Sequence, residues 1–489
     1  MNKDKVTKTF LGHPIGLLNL FSTEFCERFS YYGMRAILVF YVYSSVASGG
    51  LGLSKQDALY VMTLFGSAVY MLSVLGGWLA DRVIGAYYSI LLGGAIIAVG
   101  HIVLGLPFTG VAGLFIALVL IAIGTGLLKP NVSSMVGTLY TDGDRRRAAG
   151  FNIFVLGINI GSFFSPIIVG GTQKVAGFHV AFTIPAVFMI VGLIVFYTLT
   201  KSTLGQIDHN PASPILPHER GRILTFFVVL ILSIAVLVTI LIALNILTLE
   251  SFSIITPLVS VAIVTFLFAS MISDKSLSKD ERNKTISYIA IFVIAVVFWA
   301  IEELQSSVFA TLAESRANNN VAGFHFPESW YQSVNPFVII IGAPLLAIVW
   351  TKLKKQPSII MKMTSGLFLT CISFLIPAFA FASVSHTQKV SPLFLIIPIA
   401  MFSLGELFVS PIGLSATTEL AAKKYDSRLM AIWFLSNTLG QGINSFCVRF
   451  YDDQNPSPFF FGYAIVAAII IVIVLLLLKP LKRLMGNVQ

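Results

Sequence analysis

Glu24-Phe25-Cys26-Glu27-Arg28-Phe29-Ser30-Tyr31-Tyr32-Gly33, with Arg35 just beyond, sets three ionised side chains into an otherwise apolar run near the start of the chain. A membrane helix rarely carries even one charge, because a charged group near the bilayer centre costs at least ~2.5–3.5 kcal/mol. At about 100° per helical residue, Glu24, Glu27, Arg28, Tyr31 and Arg35 share about a third of the helix circumference over roughly 16 Å of its length. A polar stripe of that kind inside a membrane lines something.

Composition supports the membrane setting. Of 489 residues, 56% are hydrophobic and 11% charged, and the mean hydropathy is +0.88. No soluble chain needs that much apolar surface. Apolar runs such as Ile286 to Ala300 and Phe459 to Leu478 recur along the length and read as membrane-crossing helices of about 20 residues or more. Their spacing predicts helices over 16–47, 54–82, 86–107, 110–140, 147–176 and 179–200, then 222–248 and 251–273, then 285–313, 329–353, 358–386, 391–422, 427–451 and 458–484. That is twelve spans plus a middle pair.

The net charge of +10 in a soluble protein would point to nucleic acid; here the placement of the cations assigns them to one membrane face. They gather at Arg82, Arg145 to Arg147, Lys201 to Arg222, Lys275 to Lys284, Lys352 to Lys355, Lys423-Lys424 and Lys479 to Arg483. The loops near Ser48 to Leu53, Pro107 to Gly110, Ala176 to Phe178 and Asp452 to Ser457 carry almost none. By the positive-inside rule both termini are expected in the cytoplasm. The polar opening through Lys8 leads into the first helix without a small-residue cleavage site, so no removed signal peptide is expected. Cys26, Cys371 and Cys447 lie apart in apolar segments without metal-ligand spacing and read as buried free thiols.

Lys201 to Gly221, with Pro211, Pro214 and Pro217, reads as a cytoplasmic linker between two six-helix halves. The expected division is 1–200, a linker and hairpin over 201–284, and 285–489. The middle pair, apolar but for Glu250 at its turn, reads as a peripheral hairpin facing lipid. Two six-helix bundles with a site between them near mid-membrane form the architecture of a rocker-type secondary transporter.

Other spans add polar groups. Lys129 follows a long apolar run and is placed inside the bundle, and Asn159 is an isolated amide in the fifth span. In the second half, Trp299 precedes Glu302 and Glu303, and Glu406 follows Gly405. Glu302 and Glu303 point about 100° apart, so at most one faces a shared cavity squarely. Trp433 and Asn437, four apart, share a face. Arg28, Arg35 and Lys129 are three cations, against four carboxylates in Glu24, Glu27, Glu303 and Glu406, or five with Glu302. At least one carboxylate therefore lacks a permanent partner, which gives a physical basis for taking up and releasing a proton. Cations in the first half and central carboxylates in the second would complement a zwitterion, its carboxylate toward Arg35 and Lys129 and its ammonium toward Glu406.

Glu24 to Gly33 resembles the glutamate-x-x-glutamate-arginine signature of the proton-coupled oligopeptide transporters of the major facilitator superfamily. Gly76 to Gly85 resembles that superfamily's loop between spans two and three, and Phe151 to Pro166 is similar to the family's fifth-helix signature, with Val155 where many members have tyrosine. The resemblance covers essentially the whole chain. It implies an all-α membrane protein with the major facilitator fold, two six-helix bundles plus a central hairpin, fourteen transmembrane helices in all. It further implies import of di- and tripeptides across the cytoplasmic membrane by symport with protons, with no other cofactor, no enzymatic activity, no nucleic acid, and a monomer in the lipid bilayer without an obligate protein partner. The matching positions assign Glu24, Glu27, Arg28, Lys129 and Glu303 to proton coupling and Arg35 with Glu303 to an extracellular-side gate. Tyr31, Tyr32, Arg35, Tyr70, Lys129, Asn159, Trp299, Asn335, Glu406, Ser410, Trp433 and Asn437 would line the peptide site. For Tyr70 and Ser410 the residues alone favour packing. The alternatives are transport of nitrate, another small anion or an amino-acid derivative on the same scaffold, and a non-transporting membrane sensor; an anion would not need Glu406.

Overall fold

With no water in the bilayer core, each apolar run must satisfy its backbone internally, and the runs fold as helices. The computed structural model describes residues 9–141, 144–205, 210–244, 246–385, 388–486 and 488; the polar opening through Lys8 lies outside them. Two short hairpins, β1 (Thr9–Phe10) with β2 (His13–Pro14) and β3 (Asn320–Val321) with β4 (Phe324–His325), decorate an all-helical body.

The first half comprises α1 (Gly16–Tyr43), α2 (Lys55–Leu79), α3 (Ala86–Gly105), α4 (Gly110–Thr138), α5 (Arg147–Ala176) and α6 (Phe178–Thr203). A hairpin follows, α7 (Pro217–Ala243) and α8 (Leu249–Ile272). The second half holds α9 (Lys279–Glu302), α10 (Val308–Ser315), α11 (Val334–Lys352), α12 (Ile359–Ala382), α13 (Leu393–Leu420), α14 (Asp426–Cys447), α15 (Ser457–Leu476) and the short α16 (Leu478–Met485). α9 and α10 together make one segment, and α16 is too short to cross, which leaves fourteen helical segments of crossing length among the described residues.

Several boundaries differ from the sequence reading, each for a local reason. α9 begins at Lys279, not 285, because Ser278 and Glu281 form a capping box: the serine hydroxyl accepts the Glu281 N–H at 3.2 Å and the glutamate accepts the Ser278 N–H at 2.9 Å. α7 begins at Pro217, a residue suited to a first helical turn. The seventh main span is not continuous. After Glu302 it tightens into a 3₁₀ turn at Glu303–Ser306, and Ser307 leaves helical geometry before α10 starts. The last span likewise breaks at Leu477.

Within the first half, α1 packs on α5 and α6, and α3 on α4 and α6; in the second, α12 packs on α13 and α15, and α9 on α13 and α14. Backbones touch at glycine pairs. A Cβ on Gly93 would lie 2.6 Å from the Gly124 carbonyl oxygen, and one on Gly366 would lie 2.7 Å from that of Gly405. The hairpin packs through α8 onto α14 and α2, with the Ser445 hydroxyl donating to the Ser253 carbonyl at 3.1 Å. The three cysteines are free, Cys26 and Cys371 buried and Cys447 half-buried.

The halves meet along α2 against α14 and α5 against α11. Polar contacts across this seam gather at the cation-poor end. Lys55 pairs with Asp453 at 2.9 Å and Lys174 with Glu328 at 2.7 Å; Tyr43 donates to Glu314, and Ser333 donates to the Phe163 carbonyl at 2.8 Å. At the basic end, Ser213 and Ile215 donate backbone N–H groups to the carbonyls of Asp81 and Arg82, and Arg82 pairs with Glu219. There, too, Lys424 and Tyr425 hold Asp274 of the α8–α9 loop at 2.7 and 2.6 Å. The Lys424 ammonium, with Tyr425 and Ser276, keeps the Asp274 carboxyl well below the usual range. Among the described residues no polar contact joins α1–α6 directly to α9–α15 at the basic end. Among the described residues, the direct polar contacts between the two halves latch the cation-poor end.

Candidate functional site

Eleven helices among the described residues are long and apolar enough to cross a membrane. α1, α7 and α14 are not among them, and α1 and α14 face the site. α1 carries Glu24, Glu27, Arg28 and Arg35; α14 carries Asn437, Gln441 and Asn444, all buried. Neighbouring helices shield these polar faces from lipid.

Glu27 is 0% exposed and Glu24 1%. The Arg28 guanidinium serves both. Its Nε and one terminal nitrogen reach the two oxygens of Glu27, the latter at 2.6 Å, and Nε lies 3.3 Å from Glu24 Oε1. Glu24 Oε2 is buried with no partner. Arg28 also lies 5.2 Å from the ring centre of Tyr31 and 6.0 Å from that of Tyr32, within cation–π range.

Two turns along α1, Arg35 forms an ion pair with Glu303 across the seam. Glu303 sits on the 3₁₀ turn that breaks the span, and irregular backbone at membrane depth is tolerated where protein covers it. Three neutral donors complete its shell: Tyr70 at 3.3 Å and Asn437 at 3.3 Å on Oε1, and Gln441 at 2.6 Å on Oε2. Lys129 Nζ lies 4.7 Å above the Tyr70 ring. Arg35, Glu303, Tyr70 and Lys129 thus form one chain of contacts.

Lys129 is half-buried and, among the described residues, makes no ion pair. Its ammonium lies over the Tyr70 ring, whose hydroxyl reaches Glu303, so the lysine points into the bundle as expected. Asn159 is also half-buried; its amide donates to the Val155 carbonyl of its own helix at 2.9 Å, so it does not bridge helices. In the second half Asn335 donates to Glu406 at 3.0 Å. Glu302, Trp299, Glu406 and Ser410 are half-buried, and no hydrogen bond or ion pair from a described residue reaches Glu302 or Ser410. Trp433 is buried against Gly413, whose missing side chain makes room for the indole.

Of the adjacent pair, Glu303 is the buried, paired carboxylate and Glu302 the half-exposed one. Tyr70, for which the residues alone favoured packing, donates to Glu303 and underlies Lys129. Gln441 was missed by the sequence reading. Its signal was present, since Trp433, Asn437 and Gln441 recur every four residues on one face.

A buried charge pair joining two helical halves of a membrane body, with carboxylates that lack a cation beside the seam, defines a secondary transporter. The chain belongs to the POT family, whose model matches residues 87–464. It is 40% identical over 496 residues to the di-/tripeptide transporter of Lactococcus lactis subsp. cremoris, covering 100% of both chains. It is 42% identical over 456 residues to the uncharacterized transporter YclF of Bacillus subtilis (strain 168), covering 93% of this chain and 91% of that one. A crystal structure of the peptide transporter POT in complex with sulfate superposes with a TM-score of 0.94 at 42% identity, covering 100% of both chains. The glutamate-rich stretch of α1 lies outside the residues matched by the family model and inside the span shared with the lactococcal relative.

Proposed function

We propose that this protein is a proton-coupled symporter that imports di- and tripeptides across the cytoplasmic membrane by alternating access. Both termini lie in the cytoplasm, the cation-poor end is extracellular, and the structure is the inward-facing state. The observation that carries this reading is the buried Arg35–Glu303 pair, which joins the two halves at a broken helix.

Separation of the halves at the extracellular end takes Arg35 and Tyr70 away from Glu303, which leaves a carboxylate in a poorly solvated setting without its cation and able to take a proton. Closure reforms the pair and expels that proton toward the Tyr70–Lys129 side. Glu24, Glu27 and Arg28 form the second coupling group. Two carboxylates share one guanidinium there, and Glu24 keeps an unpaired oxygen.

The peptide lies between the halves. Its carboxylate is drawn to Arg35 and Lys129, its ammonium to Glu406, which is oriented by Asn335. Tyr31, Tyr32, Asn159, Trp299, Ser410, Trp433 and Asn437 supply the remaining wall. Protons are the only coupling species, no cofactor takes part, and one chain in the bilayer is the working unit. Two carboxylates without cations, Glu302 and Glu406, favour a substrate carrying an ammonium over an inorganic anion.

Protein reconstituted in vesicles is expected to accumulate dialanine when an inward proton gradient is imposed. Correctly folded protein that fails to do so, or that accumulates nitrate instead, overturns the reading.

A further inference from the structure

We propose that Gln441 is a positioning residue for Glu303, and that with Asn437 it forms an amide clamp able to hold this carboxyl group in both of its protonation states. The inference rests on the proton-symport reading and adds a mechanism to it.

Glu303 is approached from three elements. α1 contributes Arg35, with Tyr31 and Tyr32 nearby, and α2 contributes Tyr70, backed by Lys129 of α4. α14 contributes Asn437 and Gln441. Glu302 precedes Glu303 in the chain, and Glu406 is the other carboxylate on this side. Every donor from α1 and α2 belongs to the first half. When the halves part, Arg35 and Tyr70 leave and only the two α14 amides remain.

Each amide carries an unused group. Gln441 Oε1 and Asn437 Oδ1 are both buried without a hydrogen-bond partner, although Gln441 is 1% exposed and Asn437 3%. An orphaned buried acceptor is costly and uncommon in a native interior, and two lie within one turn of each other around one carboxylate. An ionised carboxylate accepts only, so both NH₂ groups face it. A protonated carboxyl also has an O–H to donate. Rotation of either amide by half a turn presents the idle oxygen to that O–H, and the volume is unchanged because O and NH₂ are nearly isosteric. The proton comes from the extracellular side and stays on Glu303; no covalent bond in either amide changes.

In the latched state the Gln441 amide is packed against backbone of the opposite half. A Cβ on Gly66 of α2 would lie 2.5 Å from Gln441 Nε2 and 2.7 Å from its amide carbon. A side chain at position 66 would push the amide off the carboxylate. Gln441 is therefore bounded by Glu303 on one side and bare backbone on the other.

Three variants test the proposal in vesicles, with dialanine accumulation by wild type and its loss in Glu303→Gln checking the symport reading separately. Gln441→Met keeps the volume and removes donor and acceptor; gradient-driven accumulation is expected to fall by at least about tenfold, the scale of one hydrogen bond to a charged group. In the Glu303→Gln background the same change is expected to alter peptide exchange by less than about twofold, since the coupling partner is gone. Gln441→Glu offers both a donor and an acceptor when neutral but repels Glu303 when ionised. Its uptake is expected to survive at acidic pH, with the alkaline limb of the pH–rate profile displaced to lower pH. Gly66→Ala, with Gln441 intact, is expected to resemble Gln441→Met. A Gln441→Glu profile that superposes on wild type, or an equal loss of peptide exchange from Gln441→Met with and without Glu303, overturns the proposal. So does thermal instability of all three variants, which would assign Gln441 to packing.

Discussion

Lys55→Met offers a graded test of how the latched end is held. Lys55 Nζ lies 2.9 Å from Asp453 Oδ2, with the lysine side chain 43% exposed and the aspartate 28%. Asp453 also accepts from Ser315 at 2.8 Å and from Tyr451 at 3.1 Å, so it stays fixed when the lysine is removed. A solvent-screened pair of this kind contributes about 0.2–1 kcal/mol. If it exists only in the latched state, its loss raises the ratio of open to latched molecules by about 1.4- to 5-fold. Arg35 is the contrast: it is 5% exposed, as is Glu303. Breaking a buried pair costs about 3–5 kcal/mol, so Arg35→Met is expected to shift the ratio by well over a hundredfold. Spin labels at Ser48 and Asp452, both exposed at this end, would report the two populations by pulsed distance measurement in nanodiscs. Raising the salt to about 1 M, where the Debye length is about 3 Å, should erase most of the Lys55 effect and little of the Arg35 effect. A shift above tenfold for Lys55→Met, or Lys55 and Arg35 effects of equal size and equal salt response, would refute the distinction between rim and core pairs.

Four further outcomes are expected. Glu27→Gln should abolish gradient-driven accumulation while preserving exchange of labelled peptide between the two sides; equal loss of both would assign Glu27 to structure. Gly124→Ala should lower the thermal midpoint by an amount corresponding to about 1–3 kcal/mol, because its Cβ would lie 2.5 Å from the Gly93 carbonyl oxygen. Gly462→Ala, on α15 with nothing within 4 Å, should leave the midpoint unchanged or raise it slightly, and a fall as large as that of Gly124→Ala would contradict the contact geometry. Asp274→Asn should destabilise the protein at neutral pH. The folded Asp274 carboxyl titrates below its unfolded value, so its contribution is present above about pH 4 and fades as pH falls through the lower folded value. The gap in thermal midpoint between wild type and variant should therefore narrow in acid, and a gap that widens there would reverse the assignment.

The positions of the spans were legible in the sequence because apolar runs and their basic flanks impose them, and the observed helices follow those runs closely. The break at Glu303–Ser307 was not. Glu303-Leu304-Gln305-Ser306-Ser307 contains neither glycine nor proline, and the irregular turn is held from outside, by the Gln305 amide donating to the carbonyls of Tyr331 at 3.2 Å and Gln332 at 3.3 Å. Polar residues at membrane depth were legible one by one, since each is costly there. Their partners were not, because Arg35 and Glu303 lie 268 positions apart and no local rule couples them. Asn159 shows the converse: this isolated amide in an apolar run turns back on its own backbone at Val155.

The glycine contacts of α3 with α4 and of α12 with α13 bear on how force moves through the molecule. Where backbone rests on backbone, no side chain is left to change rotamer and absorb a displacement, so each half behaves as a stiff lever with its load at the centre. A shift of a fraction of an ångström at the Arg35–Glu303 pair is then not dissipated within a bundle. It is passed instead to the contacts of α2 with α14 and of α5 with α11, where the halves meet.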